Sequence, residues 1–190
     1  MPRDGGPARL RLLQAALELY EKHGFDQVTT AEIAARAGVT ERTFYRHFPD
    51  KREVLFDGER RLREALVAAV TDAPENLAPL PTLLRAFRVV APTLVANRPL
   101  SEPLRRVIAV TPALRERAQA KSAMLTEALA SALRDRGVSD SAASLAAHVG
   151  MAAFSHVAAL WFQDPERDPD ELLREAFEDL QALTAPLSLP

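Results

Sequence analysis

The chain has 190 residues, 47% hydrophobic and 26% charged, with 7 Gly and 14 Pro; this composition fills an ordinary core and excludes a disordered or collagen-like polymer. Cysteine is absent, which excludes disulfides, iron–sulfur clusters, zinc–thiolate sites and cysteine nucleophiles. The net charge of -2 excludes an indiscriminate polycation, so any nucleic-acid binding must be local.

Residues 1–63 hold 12 of the 24 Lys+Arg and 10 of the 26 Asp+Glu, a net +2, against 12 and 16, a net -4, in the remainder. One compact domain or two small ones are expected from the length. The start, MPRDGGPARL, shows neither an apolar h-region nor a small-residue cleavage site, so it does not read as a secretory signal and a cytoplasmic location is expected.

Apolar residues recur at helical spacing throughout, and alternating β-branched runs are missing, so an all-α fold of about nine helices is expected. The first helix carries Leu10, Leu13, Leu17 and Tyr20 as its apolar stripe and ends at Gly24. Thr29 and Glu32 form a capping box for a short second helix with Ile33, Ala34 and Ala37, which stops at Gly38. Thr40 caps a third helix, Glu41 to about His47. Asp50 and Glu53 repeat the capping-box pattern for a fourth, expected from Lys51 to about Thr71.

Pro74, Pro79 and Pro81 then mark a linker. A fifth helix is expected from Thr82 to Asn97 with a kink or break near Ala91, because Pro92 removes a donor and crowds the preceding turn. Pro99 and Pro103 punctuate a short sixth. Thr111 and Pro112 start a long seventh that Gly137 ends, Ser139 opens the eighth, and Asp168, Pro169 and Glu171 start the ninth, striped by Leu172, Ala176, Leu180 and Leu183. Within the eighth, Ala142 to Phe162 is uncharged and long enough to span a bilayer. Two histidines, two serines and the absence of a flanking basic cluster favour a helix buried in a bundle over a membrane span.

The second and third helices, joined by the Gly38–Thr40 turn, have the spacing of a helix-turn-helix, whose second helix can enter the DNA major groove. At 100° per residue Phe44 and Phe48 share one side of the third helix, able to pack on Ile33 and Leu17, and Arg42 and Arg46 lie opposite. Arg42 suits guanine O6 and N7, and the Thr43 methyl suits a thymine methyl. Thr40, Tyr45, His47 and Lys51 are donors suited to phosphate oxygens; Lys51 sits where the fourth helix's N-terminal dipole also favours an anion. The same spacing is compatible with a solvated surface helix of an enzyme or scaffold, and Glu41 works against phosphate binding unless it accepts from a cytosine amino group.

The stretch TTAEIAARAGVTERTFYRHFPDKREVLF, Thr29 to Phe56, resembles the signature of the tetracycline-repressor (TetR) family of bacterial one-component regulators, with Ile33-Ala34, Ala37-Gly38-Val39, Phe44-Tyr45, His47-Phe48 and Lys51 carrying the likeness. The resemblance covers residues 8–60; the rest agrees in length and helix count. It implies a three-helix DNA-binding head, a helical ligand-binding and dimerisation body, and a homodimer on a palindromic operator. It also implies phosphate contacts at Thr40, Tyr45, His47 and Lys51 and base contacts at Arg42 and Thr43. The DNA-facing set so assembled is Thr30, Thr40, Arg42, Thr43, Tyr45, Arg46, His47 and Lys51, with Arg3 and Arg9 as weaker candidates for the minor groove or backbone. The expected division is a DNA-binding domain over residues 1–52 and an effector-binding and dimerisation domain over 53–190.

In the body, Met124 and Met151 offer adaptable apolar surface, and Ser155, His156 and Trp161, with His148, place polar groups on an apolar helix; these are the candidate effector contacts. The resemblance implies a dimer built from the eighth and ninth helices, where Ala146, Gly150 and Ala153 would permit close approach. An effector would then act by swinging the heads out of register through the fourth helix. Residues 105–121 resemble relatives grouped with acyl-type effectors, and Arg105, Arg106 or Arg115 can meet a carboxylate or phosphate. His148 and His156 lie eight apart, so no metal or other cofactor is expected. The sequence has no GxGxxG, GxxxxGK or HExxH, the motifs that would favour an enzyme. A helical adaptor whose helix-turn-helix binds protein remains the other alternative.

Overall fold

In a computed structural model that describes residues 6–183, every regular element is helical. The α-helices are α1 (Gly6–His23), α2 (Thr30–Arg36), α3 (Glu41–His47), α4 (Glu59–Thr71), α5 (Pro79–Ala96), α6 (Arg98–Val110), α7 (Pro112–Asp135), α8 (Asp140–Gln163) and α9 (Pro169–Leu183), with a 3-10 turn at Glu53–Phe56. Arg3 lies outside the described residues.

Packing divides the chain into two compact units: the stretch up to Arg60 with Asn97–Lys121, and Arg61–Ala96 with the stretch from Ser122 onward. The first unit thus takes in α6 and the start of α7 beside the helix-turn-helix, a grouping that a division by sequence order alone does not contain.

The first unit is built on a core of Leu12, Ala16, Leu17, Tyr20, Ile33, Phe44, Phe48, Val54 and Leu55. Leu10, expected in the buried stripe of α1, is 45% exposed; Leu12, Ala15 and Ala16 are buried instead. The buried arc of α1 has to meet α2, α6 and the 3-10 turn together, so it is wider than a single stripe and turned away from Leu10. Val107 of α6 and Leu114 of α7 complete this core, and Arg106 on Glu21 at 2.8 Å and Arg117 on Glu53 at 2.6 Å fasten the two helices to it.

The expected fourth helix is two pieces. Asp50 Oδ1 does accept from the Arg52 and Glu53 amides, at 2.7 and 3.2 Å. The Glu53 carboxylate, however, faces Arg117 and Lys121, the latter at 3.3 Å and also 2.8 Å from Glu59. A 3-10 turn follows, and α-helix starts at Glu59. The prolines also behave differently from expectation: α5 runs unbroken through Pro92 and α6 through Pro103. In α5 the burial of Ala86, Phe87, Val90 and Ala91 around the proline offsets the one amide bond it removes.

The second unit packs α5, α8 and α9 against one another, with Leu66 and Val70 of α4 and Leu129 and Leu133 of α7 in the same core. Phe87 stacks on Phe154 at 4.5 Å, and Arg136 holds the linker after α4 by donating to the carbonyls of Ala73 at 2.7 Å and Pro74 at 2.6 Å. The apolar helix α8 is long enough to cross a membrane by length and composition, yet its Ala143, Ala147, Met151, Val157 and Trp161 are buried in this core.

Ala146, Gly150 and Ala153, expected to let a second copy approach, are buried within the chain. A Cβ at Gly150 would lie 2.7 Å from Leu83 Cδ1 and 3.5 Å from the Phe87 ring, so this glycine lets α5 close on α8. Gly150→Val is therefore expected to lower folding stability by about 2 kcal/mol through overpacking. Chemical denaturation checks it, and a variant of unchanged stability but altered solution mass would return Gly150 to an interface between copies.

Candidate nucleic-acid interface

The turn between α2 and α3 is specified locally. Gly38, at φ +69, lets its amide reach the Ala35 carbonyl at 3.1 Å while the Val39 amide reaches Ala34 at 2.9 Å, closing α2 in a Schellman motif. Thr29 and Glu32 form the full capping box at the other end of α2. Thr40 then starts α3 in extended backbone, its Oγ1 accepting from the Thr43 amide at 3.2 Å. Phe44 and Phe48 are buried with their rings 5.9 Å apart, which fixes the roll of the short α3 and turns its other side outward.

On that outer side Glu41, Arg42, Tyr45 and Arg46 are exposed, and Thr43 and His47 are half-buried. Arg42 and Arg46 have no hydrogen-bond or ion-pair partner among the described residues, so their guanidinium donors face solvent. Other arginines of this unit are engaged: Arg36 with Glu18 at 2.5 Å, Arg52 with Asp50 at 2.9 Å. Arg9, a candidate DNA contact, is engaged too. It pairs with Asp57, donates to the His47 carbonyl at 3.2 Å and lies 5.1 Å from the Phe48 ring centre, so it anchors α1 to the end of α3.

Two of the expected DNA contacts, Lys51 and Thr30, have their hydrogens directed inward. Lys51 Nζ donates to the carbonyls of Phe25 and Val28, both at 2.8 Å, and Asp26 at 3.3 Å, and sits 4.4 Å from the Phe25 ring centre. Nor does Lys51 open an α-helix: it lies in the turn between the end of α3 at His47 and the 3-10 segment, so the dipole argument for it fails. Thr30 Oγ1 donates to Glu41 Oε1 at 2.7 Å and lies 3.1 Å from the Tyr45 hydroxyl. The Glu41 carboxylate, which read as a repulsive charge, is thus turned onto α2.

His47 keeps its imidazole available, and burial, then the nearby Arg9 and Arg46 charges, push its pKa below the usual histidine value. The lowered value favours the neutral ring, which carries one N–H donor. Tyr20 beneath the site is buried and donates to the Lys51 carbonyl at 2.8 Å; burial, then Asp50, raises its phenol well above the ordinary tyrosine value.

The candidate effector residues do not converge. Met151 and Trp161 are core residues of the second unit, whereas Met124, Ser155 and His156 are exposed. His148 is exposed as well, its Nδ1 2.8 Å from the Ser144 carbonyl. Arg106 is held by Glu21 and Glu102. A shallow recess of about 140 Å³ in this unit is lined by different side chains, among them Leu84, Arg85, Arg88 and Phe177. No local pattern marks Lys51 as an internal clamp, Arg9 as the partner of Asp57 or Glu41 as the partner of Thr30, because each partner lies on another element.

A capped helix-turn-helix on a three-helix core, presenting two arginines without a partner among the described residues, has the geometry of a DNA-binding head. Residues 12–57 match the N-terminal model of the bacterial regulatory proteins of the tetR family. The regulator TcmR of Streptomyces glaucescens is 38% identical over 82 residues, 43% of this chain and 36% of that protein, so the match spans about a third of this relative's length. FadR of Thermus thermophilus, a TetR-family repressor solved with lauroyl-CoA, is 27% identical over 96% of this chain and 97% of its own, at a TM-score of 0.58. NalD of Pseudomonas aeruginosa, the secondary repressor of the MexAB-OprM efflux pump, shares the fold at a TM-score of 0.61 and 22% identity, over 92% and 97% of the two chains.

Proposed function

We propose that this chain is a one-component repressor that binds a palindromic operator as a homodimer and is released by a small-molecule effector. The observation that carries the reading is the pair of exposed arginines, without a partner among the described residues, on an α3 whose opposite face is locked by Phe44 and Phe48. Arg42 reads a guanine and Thr43 meets a thymine methyl. Arg46, Thr40 and His47 hold the backbone, joined by Tyr45 and Thr30 once their internal hydrogen bonds exchange.

Dimerisation is assigned to the outer side of α8, where Leu145 is 66% exposed and Ala142, Ala152, Ser155 and His156 are exposed beside it. A two-fold dimer places two recognition helices about 34 to 36 Å apart, and an effector acts by changing that spacing. An apolar or acyl-type effector is supported by the lauroyl-CoA complex of the Thermus relative. Met151 and Trp161 are the candidates on the inner side of α8 to meet it. DNA binding by residues 1–52, effector binding and dimerisation by 53–190, and a cytoplasmic setting belong to the same proposal.

Selection of bound sequences from random duplex DNA at two salt concentrations, with the protein's solution mass recorded, tests it. The expected result is a two-fold symmetric motif bound by a dimer, with affinity falling steeply as salt rises. Absence of enrichment at low salt, or capture of a protein partner without salt dependence, would favour the adaptor reading.

A further inference from the structure

The Thr30 hydroxyl has one hydrogen, and a carboxylate can only accept. Thr30 therefore donates to Glu41 at 2.7 Å, and in its 3.1 Å contact with Tyr45 the phenol must be the donor. Hydrogen bonding is thus polarised in one direction, from Tyr45 through Thr30 to Glu41. The Tyr45 hydroxyl presents lone pairs outward, although the residue is 53% exposed on the face assigned to DNA. A phosphate oxygen needs a donor, and lone pairs repel it.

We infer that Glu41 is a positioning residue for Tyr45: its carboxylate, acting through Thr30, holds the phenol hydrogen inward and restrains backbone binding by the free head. This rests on the DNA-binding reading of α3 and deepens it. The restraint acts on every DNA sequence alike, because the hydrogen bond must exchange before any phosphate is held there. Its effect is to keep non-specific affinity low while leaving base readout by Arg42 untouched. A carboxylate at this position also repels phosphates directly, and it opens the first turn of α3, where it favours the helix. These three roles give different results.

The test measures affinity for a random-sequence duplex at low salt with the full chain, comparing Glu41→Ala in the native and the Tyr45→Phe backgrounds, and records thermal melting for each. Loss of the polarised chain is expected to tighten binding about fivefold in the native background, in line with the net worth of one hydrogen bond. In the Tyr45→Phe background, which has no phenol hydrogen to release, the gain is expected to vanish. A gain of equal size in both backgrounds would mean plain charge repulsion and overturn the inference. So would weaker binding with a lowered melting temperature, which marks a purely structural role. Glu41→Gln, which keeps an acceptor of similar shape, is expected to fall between the native chain and Glu41→Ala. Failure of the native chain to bind any duplex at low salt would instead sink the DNA-binding reading on which the inference rests.

Discussion

Replacing both Arg42 and Arg46 by alanine is expected to abolish selective operator binding while leaving the melting temperature unchanged. The two side chains are exposed and contact no partner among the described residues, so their removal leaves no buried group unsatisfied. The losses should separate. Arg42→Ala is expected to cost about 1 to 3 kcal/mol on the preferred operator and to relax preference at one position of each half-site, as the loss of a bidentate guanine contact does. Arg46→Ala should weaken all sequences alike and lower the salt slope by about 1.

Arg36 is the matched control. It is exposed on the neighbouring helix but committed to Glu18, so Arg36→Ala should change operator affinity little. Fluorescence anisotropy across a salt series with selected and scrambled duplexes makes the comparison. If the double variant keeps both affinity and preference, the readout face of α3 has been assigned to the wrong side.

The difference between what the residues announced and what the fold did follows the range of the interactions. The helix-turn-helix was legible because its signals are local: Thr29 with Glu32, the positive φ at Gly38, Thr40 as a cap, and Phe44 with Phe48 four apart. Each acts within four residues, and their agreement leaves one local structure. The start of the fourth helix was misread for the opposite reason. Asp50 and Glu53 have capping-box spacing, but Glu53 finds Arg117, 64 residues away, so a tertiary ion pair wins over the local bond. Burial would raise the Glu53 carboxyl, and the hydrogen bonds from Arg117 and Lys121 outweigh it and hold its pKa below the usual value.

Small residues on α8 show the same limit. Their spacing says that something packs closely there, and only the fold says that it is Leu83 of the same chain. The effector candidates fared no better, since periodicity places Met151 and His156 on one helix without telling an inner side from an outer one. α8 is apolar almost all round, so its moment carries little information about direction.

Lys51→Ala offers the sharpest contrast between a local and a tertiary role. If the ammonium held a phosphate, its loss would leave folding intact and lower the salt slope of DNA binding by about 1. The geometry leads to another result. Three carbonyls of the α1–α2 loop, from Phe25, Asp26 and Val28, receive the Lys51 ammonium, and the Phe25 ring lies beneath it. Phe25 and Val28 are buried, so these acceptors cannot all turn to water when the lysine is removed. A hydrogen bond from a charged donor contributes about 1.5 to 3 kcal/mol, and the net expected loss is about 2 to 3 kcal/mol of stability in the first unit. Operator affinity should fall for every sequence, because a loosened loop frees the start of α2 and with it the seat of α3. The salt slope should stay where it was. Lys51→Arg separates the two accounts further, since a planar fork cannot reproduce a compact three-way donor to three carbonyls but serves a phosphate as well or better. Melting curves and salt titrations on these two variants decide between clamp and contact: a stable Lys51→Ala protein with a reduced slope would put the ammonium back on the DNA.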